Sequence, residues 1–418
     1  MFFRTLLLED FPPFAPNQKI SFPDVEASDI PLAETHVITG INGTGKTRLL
    51  SVLAAVLGND EHIAKRWPNP KGNIHVNKLA TNPAINPMTT RWCYLKKDPE
   101  NGILTFPQDH ASFGETLAFA YNGSAYVQDA PIKVMAPSLA PDAKTRLSFA
   151  RPPDQSNTLL QNIANLKIKS ALDNQDSAQL NKSIPIKLVQ QLEAAVSEIT
   201  GKSFAFQMEF HDDPKIHVRW GDAENLQFSL LPDGLRSIIG WLAHAVVMLD
   251  ACLKSKSDAT EHPAVFLFDE PESHLHPAWQ RKIFPAFQRL FPKSQIIVST
   301  HSPFIISSIN HGWIHRLEFV NGKVEVNREP AKTGDNYKSV AKDLMGIDEA
   351  MAFDPKSEEL LRKFYTVREA AYQRQPGKIE EAAKIAEEIA SRGPLLGFIA
   401  GNEMAQMRRQ LAEEKVEG

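Results

Sequence analysis

Gly40-Ile41-Asn42-Gly43-Thr44-Gly45-Lys46-Thr47 is the stretch on which the reading turns. The octet fits G-x-x-x-x-G-K-[ST], with Asn42 and an extra glycine, Gly43, inside it. Thr35-His36-Val37-Ile38-Thr39 before it is a short β-branched run that reads as a buried strand. Arg48 to Leu57 after it is a strong helix former. Strand, glycine loop and helix together predict a phosphate cradle. Glycine lets the backbone wrap an anion without Cβ clashes, and the loop N–H groups and the helix N-terminus face it. The candidate nucleotide-binding residues are Asn42, Gly43, Thr44, Gly45, Lys46, Thr47 and Arg48. Lys46 reaches the β and γ phosphates in this reading, and Thr47 holds Mg²⁺.

Two later segments supply a second half. Ala264-Val265-Phe266-Leu267-Phe268-Asp269-Glu270 is an apolar strand ending in two acids. Alone it is an ordinary buried strand with a polar end. With the phosphate loop upstream, Asp269 is expected at Mg²⁺ and Glu270 at the attacking water as general base. Ser294 to Thr300 reads as another buried strand, ending at His301-Ser302-Pro303, which puts His301 within reach of a γ-phosphate. Between the halves, Leu231-Pro232-Asp233-Gly234-Leu235-Arg236 precedes an apolar helix over 238–249, whose Trp241, Ala245 and Met248 share a buried face. A glycine at a helix start offers bare N–H groups to an anion, so Asp233 and Gly234 join the candidates.

Composition bounds the rest. At 418 residues the chain is too long for one simple core, and two or three lobes are expected. A net charge of −4 argues against a molecule that binds nucleic acid electrostatically all over, and leaves a local basic face open. Two cysteines, Cys93 and Cys252, argue against a disulfide framework and suit a reducing cytosol. No continuous apolar run reaches about 18 residues, so no membrane span is expected. Met1 to Asp10 reads as a first strand rather than a signal peptide. A cytoplasmic location follows as the expectation.

Along the chain, 2–8 and 19–22 read as a strand pair. From 59 to 90 the pattern dissolves into Pro, Asn and Lys and reads as loop. A hairpin is expected across 92–106, a strand at 132–135, helices over 158–169 and 186–200 with Pro185 between them, and a strand pair across 204–220. Hairpin strands around Asn321-Gly322 should close the head. Beyond 336 the chain reads as helices over 340–345, 356–373, 378–392 and 403–414. Four parts are expected: 1–58 with the phosphate loop, 59–225 as β lobe and helical insertion, 226–330 as the rest of the head, and 331–418 as a helical appendage. The appendage reads equally as a solvated helical hairpin and as a docking or oligomerisation module.

These ordered motifs resemble the ABC-type ATPases of the SMC, RecF and OLD group. Gly40 to Thr47 resembles their Walker A, and Leu231 to Arg236 their signature loop. Phe266 to Pro277 resembles Walker B with its D-loop, carrying the Leu275-His276-Pro277 ending of OLD-like members. Ser299 to Pro303 resembles the switch-histidine loop. The likeness covers about residues 1–330. The fold it implies is α/β: a P-loop ABC-type ATPase head, with a mixed sheet flanked by helices, an antiparallel β lobe, a short helical insertion and the C-terminal helical appendage. His274, His276 and His301 are then motif residues rather than a metal cluster.

The resemblance also implies an ATP and Mg²⁺ site shared by two heads. Gly234 of one would touch the γ-phosphate held by Lys46 of the other, in a head-to-head dimer or higher even oligomer. Pro232 stands where many members carry serine, so one hydroxyl and one N–H donor are missing. Slow hydrolysis and ATP serving mainly to join the heads both fit that change. For the glutamine loop the candidates are Gln155, then Gln108.

Fewer than about 120 residues follow His301, and they contain no Toprim-like pattern, so a nuclease activity is expected on another polypeptide. The chain resembles the ATPase subunits of bacterial anti-phage systems of the Septu, PARIS and retron types. That implies an ATPase acting as sensor or regulator of a nuclease-type effector encoded nearby, with DNA or RNA a possible ligand. The rival is a RecF-like DNA-repair clamp acting on DNA itself. A transporter ATPase subunit is a weaker rival, disfavoured by the long middle insertion.

Overall fold

The computed structural model describes residues 2–25, 31–57, 74–79, 90–97, 104–105, 117–123, 155–173, 184–209, 215–253, 258–331, 337–346 and 353–413. It divides into two units, 1–340 and 341–418.

In the larger unit the antiparallel strands β1 (Phe2–Leu8) and β2 (Gln18–Ser21) come first. β3 (Glu34–Gly40) then delivers the phosphate loop, and α1 (Lys46–Val56) leaves it. β1 also pairs with β4 (Ile74–Leu79), and the sheet continues through β5 (Thr90–Lys97) to β6 (Leu104–Thr105). β4 corrects the expectation of loop from 59 to 90. Six residues flanked by Pro, Asn and Lys are too short a run to announce themselves, and they gain strand character from pairing on both edges. β7 (Leu117–Asn122) was also not anticipated. The strand expected at 132–135 lies outside the described residues.

Helices α2 (Gln155–Asp173) and α3 (Ile184–Thr200) follow. Pro185 is the second residue of α3 rather than a separator, a position where the missing N–H costs nothing. Strands β8 (Phe204–Glu209), β9 (Lys215–Trp220) and β10 (Ala223–Leu226) form a small antiparallel sheet. α4 (Asp233–Leu253) begins five residues earlier than the apolar pattern suggests, which places Asp233 and Gly234 in its first turn. It is apolar and long enough to cross a membrane, but it is largely buried within the head.

The head closes with β11 (Ala264–Asp269), α5 (Pro277–Leu290), β12 (Gln295–Ser299), the short α6 (Pro303–Ile306), β13 (Gly312–Val320) and β14 (Lys323–Pro330). The central sheet runs β14-β13-β3-β12-β11-β7, parallel except for the β14 edge. This is the α/β head that the motifs imply.

Burial on both faces of the central sheet explains its sequence. Along β11, Val265 and Leu267 join the core around α1, while Phe266 and Phe268 face an aromatic layer. Phe119, Tyr121, Trp241, Phe284, Phe287 and Phe291 belong to that layer. α1 lies between the central sheet and the β1–β2 lobe, so Leu49, Leu50, Val52, Leu53 and Val56 are all buried and the helix has little polar surface.

The smaller unit contains α8 (Pro355–Tyr372), α9 (Lys378–Ala390) and α10 (Pro394–Glu413), after α7 (Tyr337–Asp343), which ends within it. Leu361, Phe364, Val367, Ile385, Ile389, Met404 and Met407 make its core at helical spacing. Asp354 caps α8 by accepting from the Lys356 and Ser357 amides, and Arg392 joins it at 2.9 Å. α10 starts at Pro394 rather than Glu403, because Pro at the first helical position is already set for the turn.

Candidate functional site

The carboxyl ends of β3, β12, β11 and β7 converge on one edge of the head. Strand register decides what meets there. Ile38, Ser299, Asp269 and Asn122 stand side by side across the parallel strands. Their neighbours two residues back, Ile297, Leu267 and Ala120, all pack in the α1 core. Period-two alternation therefore turns Ser299, Asp269 and Asn122 toward the start of α1 as well. Thr47 Oγ1 donates to Asp269 Oδ1 at 3.0 Å, and Ser299 Oγ donates to the same oxygen at 2.5 Å.

The phosphate loop is built by glycines that no other residue can replace cheaply. Gly45 caps α1 in the left-handed region, φ 93°, and Gly43 has φ 86°. Lys46 is 5% exposed, and its ammonium donates to the Gly40 and Ile41 carbonyls at 3.0 and 3.3 Å. Burial pushes the Lys46 ammonium below the usual lysine value, while the carboxylates of Glu270, Asp269 and Glu272 pull the other way. Thr44 is fully buried and donates to the Ile41 carbonyl at 2.8 Å, so it shapes the loop from inside.

A cleft of about 590 Å³ opens over this loop, lined by Pro13, Asn42, Gly43, Gly45, Lys46, Thr47, Arg48 and Glu270. Seven of these eight are among the predicted site residues. Pro13 comes from the β1–β2 connection, which carried no chemical signal. Glu270 Oε1 is 3.7 Å from His301 Nε2, a nitrogen that is buried and has no hydrogen-bond partner. Burial lowers the His301 pKa, the Lys46 ammonium lowers it further and Glu270 opposes both. The imidazole is therefore biased to its neutral form. Glu272 accepts from the His301 amide at 2.6 Å, and burial raises its pKa. Ser302 caps α6, and its hydroxyl donates to Gln280 Oε1 at 2.5 Å.

Asp233 and Gly234, expected to complete the site of a second head, do not line the cleft of their own chain. Gly234 is buried within its own chain, where a Cβ would stand 2.5 Å from the His274 carbonyl oxygen. Asp233 is exposed and ion-paired with Arg236 one turn on. Of the histidines, His276 caps α5 by accepting from the Ala278 amide at 3.2 Å. Among the described residues, no group of three or more His, Cys, Asp or Glu side chains could hold a metal ion. Gln108 lies outside the described residues. Gln155 opens α2, whereas the strand end beside Asp269 carries Asn122. Asn122, Gly123, Glu272, Ser273 and Ser299 were missed by sequence reading. Only β7's adjacency to β11 marks the first two.

Residues 36–307 match the family described as "AAA domain, putative AbiEii toxin, Type IV TA system". The chain is 24% identical over 331 residues to "Septu protein PtuA" of Bacillus thuringiensis, covering 75% of this chain and 79% of that protein. It is 31% identical over 91 residues to "Retron Ec83 probable ATPase" of Escherichia coli, covering 21% of this chain and 17% of that protein. The latter match spans under a fifth of its relative's length. Among solved structures, the chain is similar to the "SMC head domain from Thermotoga maritima", at TM-score 0.40 and 14% identity over 79% of this chain and 99% of that one. The likeness to Septu and retron ATPases read from the motifs is borne out. The family match spans more than half of the chain, its ends enclose the phosphate loop, Asp269 and His301, and the protein belongs to this AAA-domain family.

Proposed function

We propose that the chain binds and hydrolyses ATP, and that it couples this to the control of a nuclease-type effector in anti-phage defence. The observation that carries the reading is the convergence of Lys46, Thr47, Asp269, Glu270 and His301, from three distant segments, on one edge of the sheet.

The residues suit a nucleoside triphosphate with Mg²⁺. The Thr47 hydroxyl and the Asp269 carboxylate offer adjoining hard oxygen donors, the kind this ion takes. Bound there, Mg²⁺ would neutralise charge on the β and γ phosphates. Lys46 would exchange its two loop carbonyls for phosphate oxygens. Glu270 would take a proton from water as the water oxygen bonds to the γ-phosphorus. The bond from that phosphorus to the bridging oxygen breaks, leaving ADP and phosphate. His301 would donate from its unpartnered Nε2 to a γ-phosphate oxygen.

In this reading the cleft is completed by a second copy of the chain, which brings its Asp233–Gly234 turn to the phosphates. Because Gly234 is packed against its own chain, the exposed Pro232 and Asp233 would make the first approach. Similarity to Septu and retron proteins supports the defence role.

The test is ATP turnover and oligomeric state of wild type beside Glu270→Gln. The variant is expected to keep ATP binding, lose turnover by about 100-fold or more and accumulate as a dimer with ATP. Equal turnover in both would remove the reading.

A further inference from the structure

Strand geometry alone would not bring Glu270 to the cleft. Side chains alternate along β11, and Asp269 follows Leu267 to the α1 face. One more extended residue would send Glu270 after Phe268, into the aromatic layer on the opposite side. Instead Glu270 adopts φ 48°, ψ 58°, and its side chain lines the cleft with Lys46. The left-handed conformation ends the strand and re-aims the carboxylate.

A non-glycine residue in that conformation is strained and persists only where its surroundings over-determine it. Three contacts do so. The Glu270 amide donates to the Ser299 carbonyl at 3.0 Å. The Ser273 hydroxyl donates to the Glu270 carbonyl at 3.1 Å. The third contact depends on a missing atom. Gly123 follows β7 directly, and a Cβ there would stand 2.3 Å from the Glu270 carbonyl oxygen and 2.6 Å from Ser273 Oγ. The Glu270 peptide can take this orientation only beside a glycine.

We infer that Gly123 and Ser273 are positioning residues for hydrolysis: they hold the Glu270 peptide in the left-handed turn that delivers its carboxylate to the cleft. This rests on the ATP-hydrolysis reading. Neither residue is among those lining the cleft, so their effect falls on the chemical step and spares nucleotide binding. An alanine at 123 must push β7 from β11 or rotate the Glu270 peptide. Either moves the carboxylate by the ~1 Å that can cost about 100-fold in rate. Loss of the Ser273 hydroxyl loosens the same peptide with less force.

The test uses the full chain, steady-state ATP turnover and equilibrium binding of a fluorescent ATP analogue. Gly123→Ala is expected to lower kcat by about 10- to 100-fold, with analogue affinity within about threefold of wild type. Ser273→Ala is expected to lower kcat by a smaller factor and Ser273→Thr, which keeps the hydroxyl, to restore it. A purely structural role would lower affinity and kcat together and would overturn the inference, as would wild-type kcat in both alanine variants. Should Gly123→Ala fail to fold, the Ser273 pair decides alone. A wild-type chain that binds ATP without turning it over would defeat the hydrolysis reading itself. Normal wild-type turnover with indifferent variants would defeat only the positioning role.

Discussion

Thr47 and Asp269, 222 positions apart, are joined by a 3.0 Å hydrogen bond from the Thr47 hydroxyl to the Asp269 carboxylate. Ser299 donates to the same oxygen from the neighbouring strand. The contact ties the start of α1 to the end of β11, and it fixes the oxygen pair assigned to Mg²⁺. Asp269→Asn keeps the shape and removes the charge. Turnover should fall about 100-fold or more and need higher Mg²⁺, while nucleotide binding in EDTA stays unchanged. Turnover measured across a Mg²⁺ titration checks this.

Lys46 is held nearly out of water by two carbonyls of its own loop. Lys46→Met is expected to weaken ATP binding at least about tenfold, the loss of one charge-assisted contact worth roughly 1.5–3 kcal/mol. Its melting temperature should stay within a few degrees of wild type. Calorimetric titration with ATP and a thermal melt separate the two effects.

Gly40 and Gly43 sit three residues apart and should respond differently to alanine. At Gly40, φ 152°, a Cβ would stand 2.4 Å from the Leu317 carbonyl oxygen on β13. That clash is backbone against side chain with no room to yield, and Gly40→Ala should cost more than about 2 kcal/mol. A Cβ on Gly43, φ 86°, meets nothing within 4 Å, so only left-handed strain remains, about 1–2 kcal/mol. Urea denaturation of the two variants gives the comparison.

His36 and His315 lie nitrogen to nitrogen inside the sheet, Nδ1 to Nε2 at 3.2 Å, with His36 Nε2 2.7 Å from Glu34. Burial holds both imidazoles below the ordinary histidine value, His315 well below. The Glu34 carboxylate raises that of His36 in opposition, and Arg328 disfavours a proton on either ring. An unfolded histidine takes a proton near pH 6.5, so below that pH unfolding binds protons that the folded pair refuses. Stability is therefore full above about pH 6.5. It declines as pH falls toward 5, by up to about 1.4 kcal/mol per pH unit for each ring. Urea denaturation at several pH values should show this slope, and His36→Gln with His315→Gln should flatten it.

Ser302 caps α6 through the Phe304 and Ile305 amides and also donates to buried Gln280. Ser302→Ala should cost about 1–3 kcal/mol, the sum of a lost cap and an unsatisfied amide oxygen. Because the change sits beside His301, turnover should fall with it. Denaturation and turnover of the variant are the measurements.

The chain's linear order was enough to establish the phosphate loop, the acidic strand end, the histidine loop and the helical tail. Each is a local pattern: glycines where φ must be positive, alternation where a strand is buried, apolar spacing where a helix packs. The order of residues also placed Lys46, Thr47, Asp269, Glu270 and His301 among the candidates. What it left out depends on strand adjacency. β7 lies beside β11 although more than 140 residues separate them, and only that pairing sets Asn122 next to Asp269 and Gly123 against the Glu270 carbonyl. The same holds for Gly234, whose burial against the His274 carbonyl follows from packing between segments 40 residues apart. A residue's type declares what chemistry it can do. Which face it turns to, and which backbone it must leave room for, is settled only when distant strands share a sheet.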